Sequence, residues 1–301
     1  MTQEAQRPEP RTPTIVVGFD RCDHAEIALD WAALEAVRRD AALEIVTTSL
    51  PTGATTWPEG AFDVMSDSAL KAAQVTAEEG LDRVIERCPG LTASASAVVG
   101  SPAGALVEES AHAKLVVVGT RGHGDLAGTL LGSVAFAVTA HASCPVVVVR
   151  GDPAPAGPDR PVVVGVDGSD RCQVAVRYAA RAAAANDAEL VLLCAWQPQS
   201  AQAMGDLPAD YPTDLAERHA TDLLQDAVAA ARDERPGVSA RTRTVEGIPG
   251  EALADASSTA GLVVVGARGH GGFAGLNLGS VCHTLIHKSG CPVVVARTAA
   301  V

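Results

Sequence analysis

Two glycine-rich stretches carry the residues best suited to chemistry. One reads Gly119-Thr120-Arg121-Gly122, then nine residues, then Gly132-Ser133; the other reads Gly266-Ala267-Arg268-Gly269, nine residues, then Gly279-Ser280. Glycine lets backbone turn tightly and approach a ligand closely. A Gly-Ser pair opening a helix offers free N–H groups and the positive end of the helix dipole, which suits phosphate. Ser133 and Ser280 can donate to a phosphate oxygen or cap the helix they open. Arg121 and Arg268 lie between the loop glycines, either reaching phosphate or standing as surface charges. The glycines could equally serve only to shape loops, but two copies at one spacing favour anion binding.

Other chemistries are poorly supplied. Neither loop has a lysine in a G-K-[ST] context, and Asp125, the one acid within the first loop, is replaced by Gly272 in the second. A hydrolase needs a group to position water and usually a carboxylate to hold metal. No Ser-His-Asp order or Cys-His pair recurs, and His141 aligns with Lys288. The seven cysteines include no CxxC, which indicates reduced, mostly buried thiols rather than disulfides or zinc ligation. The formal net charge of −13 and the lack of a basic stripe argue against a nucleic-acid partner. No segment approaches the length of a membrane span, so no membrane partner and a cytoplasmic setting are expected.

These loops need rigid elements to hold them, and the chain supplies the same set twice. Ile15-Val16-Val17-Gly18-Phe19-Asp20 recurs as Val162-Val163-Val164-Gly165-Val166-Asp167, and the offset of 147 also carries Gly100 onto Gly247 and Cys144-Pro145 onto Cys291-Pro292. Residues 1–13 read as a flexible polar tail, 14–150 as one domain, 151–159 as a Pro/Gly/Asp-rich linker and 160–301 as a second domain. With 47% hydrophobic but only 3% aromatic residues, the core must be Val, Leu, Ile and Ala, which suits parallel strands under Ala-rich helices. Val-rich runs at 14–19, 43–49, 115–119 and 146–149 read as buried strands. Helical periods fall near 24–39, 68–87, 103–112 and 133–142. Residues 92–99 and 238–245 alternate polar and apolar, as strands at a sheet edge do. The expected fold is α/β: two tandem doubly wound domains, each a five-stranded parallel sheet of order 3-2-1-4-5 flanked by helices. Ligands in such sheets sit at the carboxyl ends of the strands, at the switch point, which is where both loops fall.

The pattern G-x-x-G-x9-G-S after a Val-rich strand, paired with an Asp closing strand one, resembles the universal stress protein family. The whole chain resembles a tandem-domain member of its ATP-binding branch. The resemblance implies ATP as ligand, with or without Mg²⁺. It gives Asp20 and Asp167, following Gly18 and Gly165, the adenosine end. Thr48 and Ala195 in strand two would line the adenine. Gly119, Gly122, Gly132, Ser133, Gly266, Gly269, Gly279 and Ser280 would cradle ribose and phosphates, with the amides of Val134 and Val281 facing phosphate. His123 and His270 fall in the family's R-G-H-G stretch, where they can contact ribose or phosphate or simply face solvent.

Two departures from the family pattern stand out. Asp167-Gly168-Ser169 keeps the usual turn after strand one, whereas the first half has Asp20-Arg21-Cys22; a hydroxyl residue often follows Gly-Ser-Val, but here Ala135 and Cys282 do. Arg21 would either shift the turn or extend into solvent, and the second site is expected to bind more tightly. The resemblance implies a nucleotide-dependent sensor or regulator in the stress response with an unidentified protein partner. A non-nucleotide chaperone-like module and a slow ATPase, with Asp20 or Asp167 orienting Mg²⁺, are the alternatives. Val146–Val149 and Val293–Val295 are open apolar edges, and family members pair through this strand. A pseudo-dimer within one chain is expected, with a further homodimer left open.

Overall fold

The computed structural model describes residues 13–49, 61–122, 132–197, 213–269 and 278–297. The first half runs β1 (Thr14–Gly18), α1 (Asp23–Arg39), β2 (Ala42–Ser49), α2 (Ala61–Arg87), β3 (Ala93–Val99), α3 (Pro102–Glu109), β4 (Leu115–Gly119), α4 (Ser133–His141) and β5 (Val146–Val149). The second repeats it as β6 (Val162–Gly165), α5 (Asp170–Ala185), β7 (Leu190–Trp196), α6 (Thr213–Glu234), β8 (Ala240–Glu246), α7 (Pro249–Ser257), β9 (Leu262–Gly266), α8 (Ser280–Lys288) and β10 (Val293–Ala296). Helix α2 begins at Ala61, seven residues before the periodicity at 68 becomes clear. No proline or glycine interrupts the chain between Gly60 and that point.

The strands form one ten-stranded sheet in the order β3-β2-β1-β4-β5-β10-β9-β6-β7-β8. Each half has the expected 3-2-1-4-5 order, and its internal pairs are all parallel. The halves join where β5 and β10 run antiparallel, with Val146 opposite Val295, Val147 opposite Val294 and Val148 opposite Val293. The intramolecular pseudo-dimer therefore uses strand five of both halves, and those two edges are no longer open. The outermost strands β3 and β8 are the two with polar alternation, each half-exposed along its length.

Side chains of β5 and β10 alternate between two cores. Val147, Val149, Val294 and Ala296 enter one continuous cluster beneath α1, α2, α5 and α6, spanning both halves. Val146 and Val148 pack on the other face against Leu106 of α3 and Val138 of α4, joined by Ile286 from α8 of the second half. Val293 and Val295 lie among Leu253 of α7 and Leu285 of α8. Each fully buried Val contributes about 1.5–3 kcal/mol, so the seam is held as the domain cores are. On the first face Arg39 also crosses the seam. Its Nη2 donates to Tyr178 Oη at 2.7 Å, and its Nε donates at 2.6 Å to Glu35, a buried carboxylate that also accepts from Arg38. The linker is ordered by Asp152, which accepts from Ala154 N–H and pairs with Arg160 at 2.6 Å.

Candidate functional site

The carboxyl ends of β1 and β4 bring Asp20 beside the first glycine loop, and β6 and β9 bring Asp167 beside the second. A side chain on Gly122 would meet Asp20 Oδ2 at 2.7 Å, and one on Gly269 would collide with Asp167 Oδ2. Both glycines thus keep backbone against a carboxylate. Gly119 faces the carbonyl of His24 at the start of α1, where a Cβ would lie 2.6 Å from the oxygen; Gly266 faces the carbonyl of Arg171 in α5 at 3.0 Å. These two let the loop pass under the first turn of a helix.

The turn after strand one has the same backbone shape in both halves. Gly168 has φ 79° and Arg21 has φ 65°, so both stand in the left-handed region that glycine favours. Arg21 is exposed, as a solvated side chain would be, and its Nε also pairs with the exposed Glu79 of α2 at 2.5 Å. Asp20 Oδ1 accepts from Cys22 N–H at 3.1 Å, whereas Asp167 Oδ1 accepts from both the N–H and the hydroxyl of Ser169, at 3.0 and 2.7 Å. Cys22 and Ser169 cap α1 and α5 by accepting from Ala25 N–H and Cys172 N–H. Burial and the bond to Asp20 push the Cys22 thiol up to about 11.

Gly132 and Gly279 are held by their N–H groups to Thr120 O at 2.7 Å and Ala267 O at 2.9 Å, which closes each loop at its neck. They are also the N-caps of α4 and α8, with extended backbone and no side-chain cap bond. The capping alternative for Ser133 and Ser280 is therefore corrected: each serine is the first helical residue, exposed. The first intrahelical bonds run from Phe136 N–H to Gly132 O and from His283 N–H to Gly279 O. The amides of Ser133, Val134 and Ala135, and of Ser280, Val281 and Cys282, precede them and point out of the helix start. Cys282 donates its thiol to Gly266 O at 3.1 Å, tying α8 to the end of β9; Ala135 has no such group.

The remaining expected residues are placed as follows. Gly18 and Gly165 make room for leucines of α3 and α7, since a Cβ would meet Leu106 Cδ1 at 2.8 Å and Leu253 Cδ1 at 2.9 Å. Thr48 and Ala195 sit half-buried near the ends of β2 and β7, pairing with Val98 and Val245. Arg121 is exposed and its carbonyl accepts from Cys22 Sγ at 3.4 Å. Arg268 is half-buried beside Gly279. His123 and His270 lie outside the described residues. Among the described residues no group of three or more His, Cys, Asp and Glu could hold a metal ion.

Three arginines near the sites escaped the sequence reading. Arg150 and Arg297 follow β5 and β10, and Arg171 follows Asp170 at the start of α5, where the first half has His24. Burial first, then Arg121, lowers the pKa of Arg150; burial, with Arg268 and Arg171 nearby, lowers that of Arg297. Recurrence of Arg150 as Arg297 at the repeat offset was the available signal. With Arg268 the second site thus gathers three guanidinium groups; the first has Arg121 and Arg150, and in its turn Arg21, which is paired with Glu79.

Comparison with known proteins agrees with the repeat. The pattern defining the Universal stress protein family matches residues 12–150 and again 160–297. A universal stress protein of Mycolicibacterium smegmatis is 34% identical over 289 residues, covering 94% of this chain and 96% of the relative. One from Mycobacterium tuberculosis is 32% identical over 296 residues, with the same coverage. The crystal structure of a universal stress protein from Archaeoglobus fulgidus shares the fold over 95% of this chain and 99% of its own, with a TM-score of 0.69 at 18% identity.

Proposed function

Since the chain belongs to the universal stress protein family, we propose that it binds ATP at the carboxyl ends of its strands and acts as a nucleotide-dependent regulator. One observation carries this reading. In both halves an Asp closing strand one stands against the second loop glycine, beside a helix start whose amides have no side-chain cap. Apolar docking needs neither feature, and a Cβ on either glycine would fill the cradle. The amides and helix dipole would hold phosphates. Asp20 and Asp167 would accept from the ribose hydroxyls, and Thr48 and Ala195 would lie along the base. Any Mg²⁺ would arrive on the phosphates, with Asp20 or Asp167 at its border.

The second site should be the tighter. Ser169 gives Asp167 a hydroxyl donor where Cys22 offers Asp20 a weaker thiol, and Arg171 places a guanidinium where the first half has His24. The seven cysteines are unpaired, as a reducing cytoplasm would keep them. No described helix is long and apolar enough to cross a membrane. A homodimer would have to use a surface other than the strand-five edges. Regulation would follow from occupancy changing the surface around the loops that a protein partner meets.

The test is to denature the purified protein and assay the supernatant for nucleotide. Released ATP, reduced in Asp167→Ala more than in Asp20→Ala, is expected. No nucleotide released, together with no uptake of added ATP, would overturn the reading.

A further inference from the structure

Arg150 and Arg297 occupy one position of the repeat, and each reaches across the seam. Arg150 Nη1 donates to Ile286 O of α8 at 2.6 Å, and Arg297 Nη2 donates to Thr139 O of α4. Ile286 and Thr139 are themselves equivalent positions. The Nε of each arginine is buried without a hydrogen-bond partner among the described residues, and neither guanidinium pairs with a described carboxylate. A guanidinium has five donors in a planar fork suited to carboxylate or phosphate, so a carbonyl alone leaves most of it unanswered.

Sheet register places the strand ends that carry these side chains, and each guanidinium lies on the seam side of its strand. Val149 pairs with Gly119 and Ala296 with Gly266, so Arg150 and Arg297 follow directly alongside the first residue of each glycine loop. Neighbouring strands are ~4.8 Å apart. From the Asp at the end of strand one, across strand four, to the backbone of the arginine at the end of strand five is two steps, on the order of 10 Å, with the length of the arginine side chain to be added. A single phosphate seated at the strand-four loop stops one strand short of the arginine. A chain of three extends toward it. Arg121 is near enough to lower the pKa of Arg150, and Arg268 and Arg171 that of Arg297, so cationic side chains cluster on this side of each site.

We infer that Arg297, and Arg150 in the first half, set the length of phosphate chain the sites accept: they engage the terminal phosphates of a nucleoside triphosphate and do not reach a monophosphate. The inference rests on the nucleotide-binding reading above. The carbonyl bond across the seam holds each guanidinium in place before the ligand arrives, which limits the entropy lost on binding.

Calorimetric titration of ATP and AMP into the full chain tests it, using the parent, Arg297→Gln and Arg297→Lys. Gln keeps a donor for Thr139 O but loses the charge; Lys keeps the charge and loses the fork. The parent should prefer ATP, and Arg297→Gln should cut the ATP-to-AMP affinity ratio about tenfold or more with AMP binding unchanged. Arg297→Lys should retain more of the preference than Gln. An unchanged ratio in Arg297→Gln, even with a lower melting temperature, would mean a purely structural role and overturn this inference alone. Equal losses in Gln and Lys would also overturn it. A parent that binds neither nucleotide would overturn the binding reading and this one together. Should Arg297→Gln not fold, the same comparison at Arg150 decides.

Discussion

At the residue scale, the site is built from groups whose spacing is local, and those were the legible ones. Gly122 and Gly269 stand out in the sequence because the turn and the helix start must both be glycine-rich. Their reason is sharper than turning: each has no room for a Cβ against an Asp carboxylate. Gly122→Ala should therefore move Asp20 rather than unfold the loop, because a carboxylate end can swing. ATP affinity at the first site is expected to fall about tenfold, with little change in melting temperature; titration and a thermal melt check the two halves of that statement. Gly119→Ala should do the reverse and cost about 1–3 kcal/mol of stability, since it meets the fixed carbonyl of His24. Cys22 gives a different check. With its thiol pushed up to about 11, it should react with iodoacetamide at pH 8 far more slowly than a free cysteine, despite partial exposure. Arg150 and Arg297 were not legible, because their meaning depends on a seam between halves that no local spacing reveals.

At the element scale, the turn after strand one shows one backbone shape reached by two solutions. Gly168 takes the left-handed conformation at little cost, but a Cβ there would meet Leu223 Cδ2 of α6 at 2.6 Å. In the first half the repeat places Thr76 where Leu223 stands, and Arg21 carries the positive φ while pairing with Glu79. Arg21→Gly should stay within about 1 kcal/mol of the parent, relief of the strain offsetting a more flexible unfolded chain. Gly168→Ala should cost about 1–3 kcal/mol; chemical denaturation measures both. Equal effects at the two positions would contradict the assignment. The strands and most helices were legible at this scale from Val-rich runs and helical period. The cap of α4 was not, because a Gly-Ser pair reads equally well with either residue as N-cap, and only the backbone shows that Gly132 takes that place.

For the whole molecule, pairing of β5 with β10 turns two half-sheets into one and places polar groups where the halves meet. On one face, Tyr178→Phe should cost about 0.5–1.5 kcal/mol by leaving Arg39 without its hydroxyl partner. On the other face, His283 and His287 of α8 lie with ring centres 4.5 Å apart and tilted by 44°, and His283 meets Phe136 of α4 edge-on. Burial, then the charges of His283 and Arg150, hold His287 below its ordinary 6.5. A histidine depressed in the folded state is protonated first in the unfolded chain, so its contribution is present above about pH 6.5 and lost as pH falls below it. The melting temperature should therefore drop less between pH 7 and pH 5.5 in His287→Gln than in the parent. The duplication was plain in the sequence, but its asymmetry was only half visible: the strand-one turn is conserved in shape, and the imbalance lies in the bonds to Asp167 and in Arg171. Equilibrium titration of the nucleotide-free chain with ATP, alongside Asp167→Ala, tests the central claim most directly. Saturable binding, dominated by one site that Asp167→Ala removes, is the predicted result; no binding at millimolar ATP would contradict it.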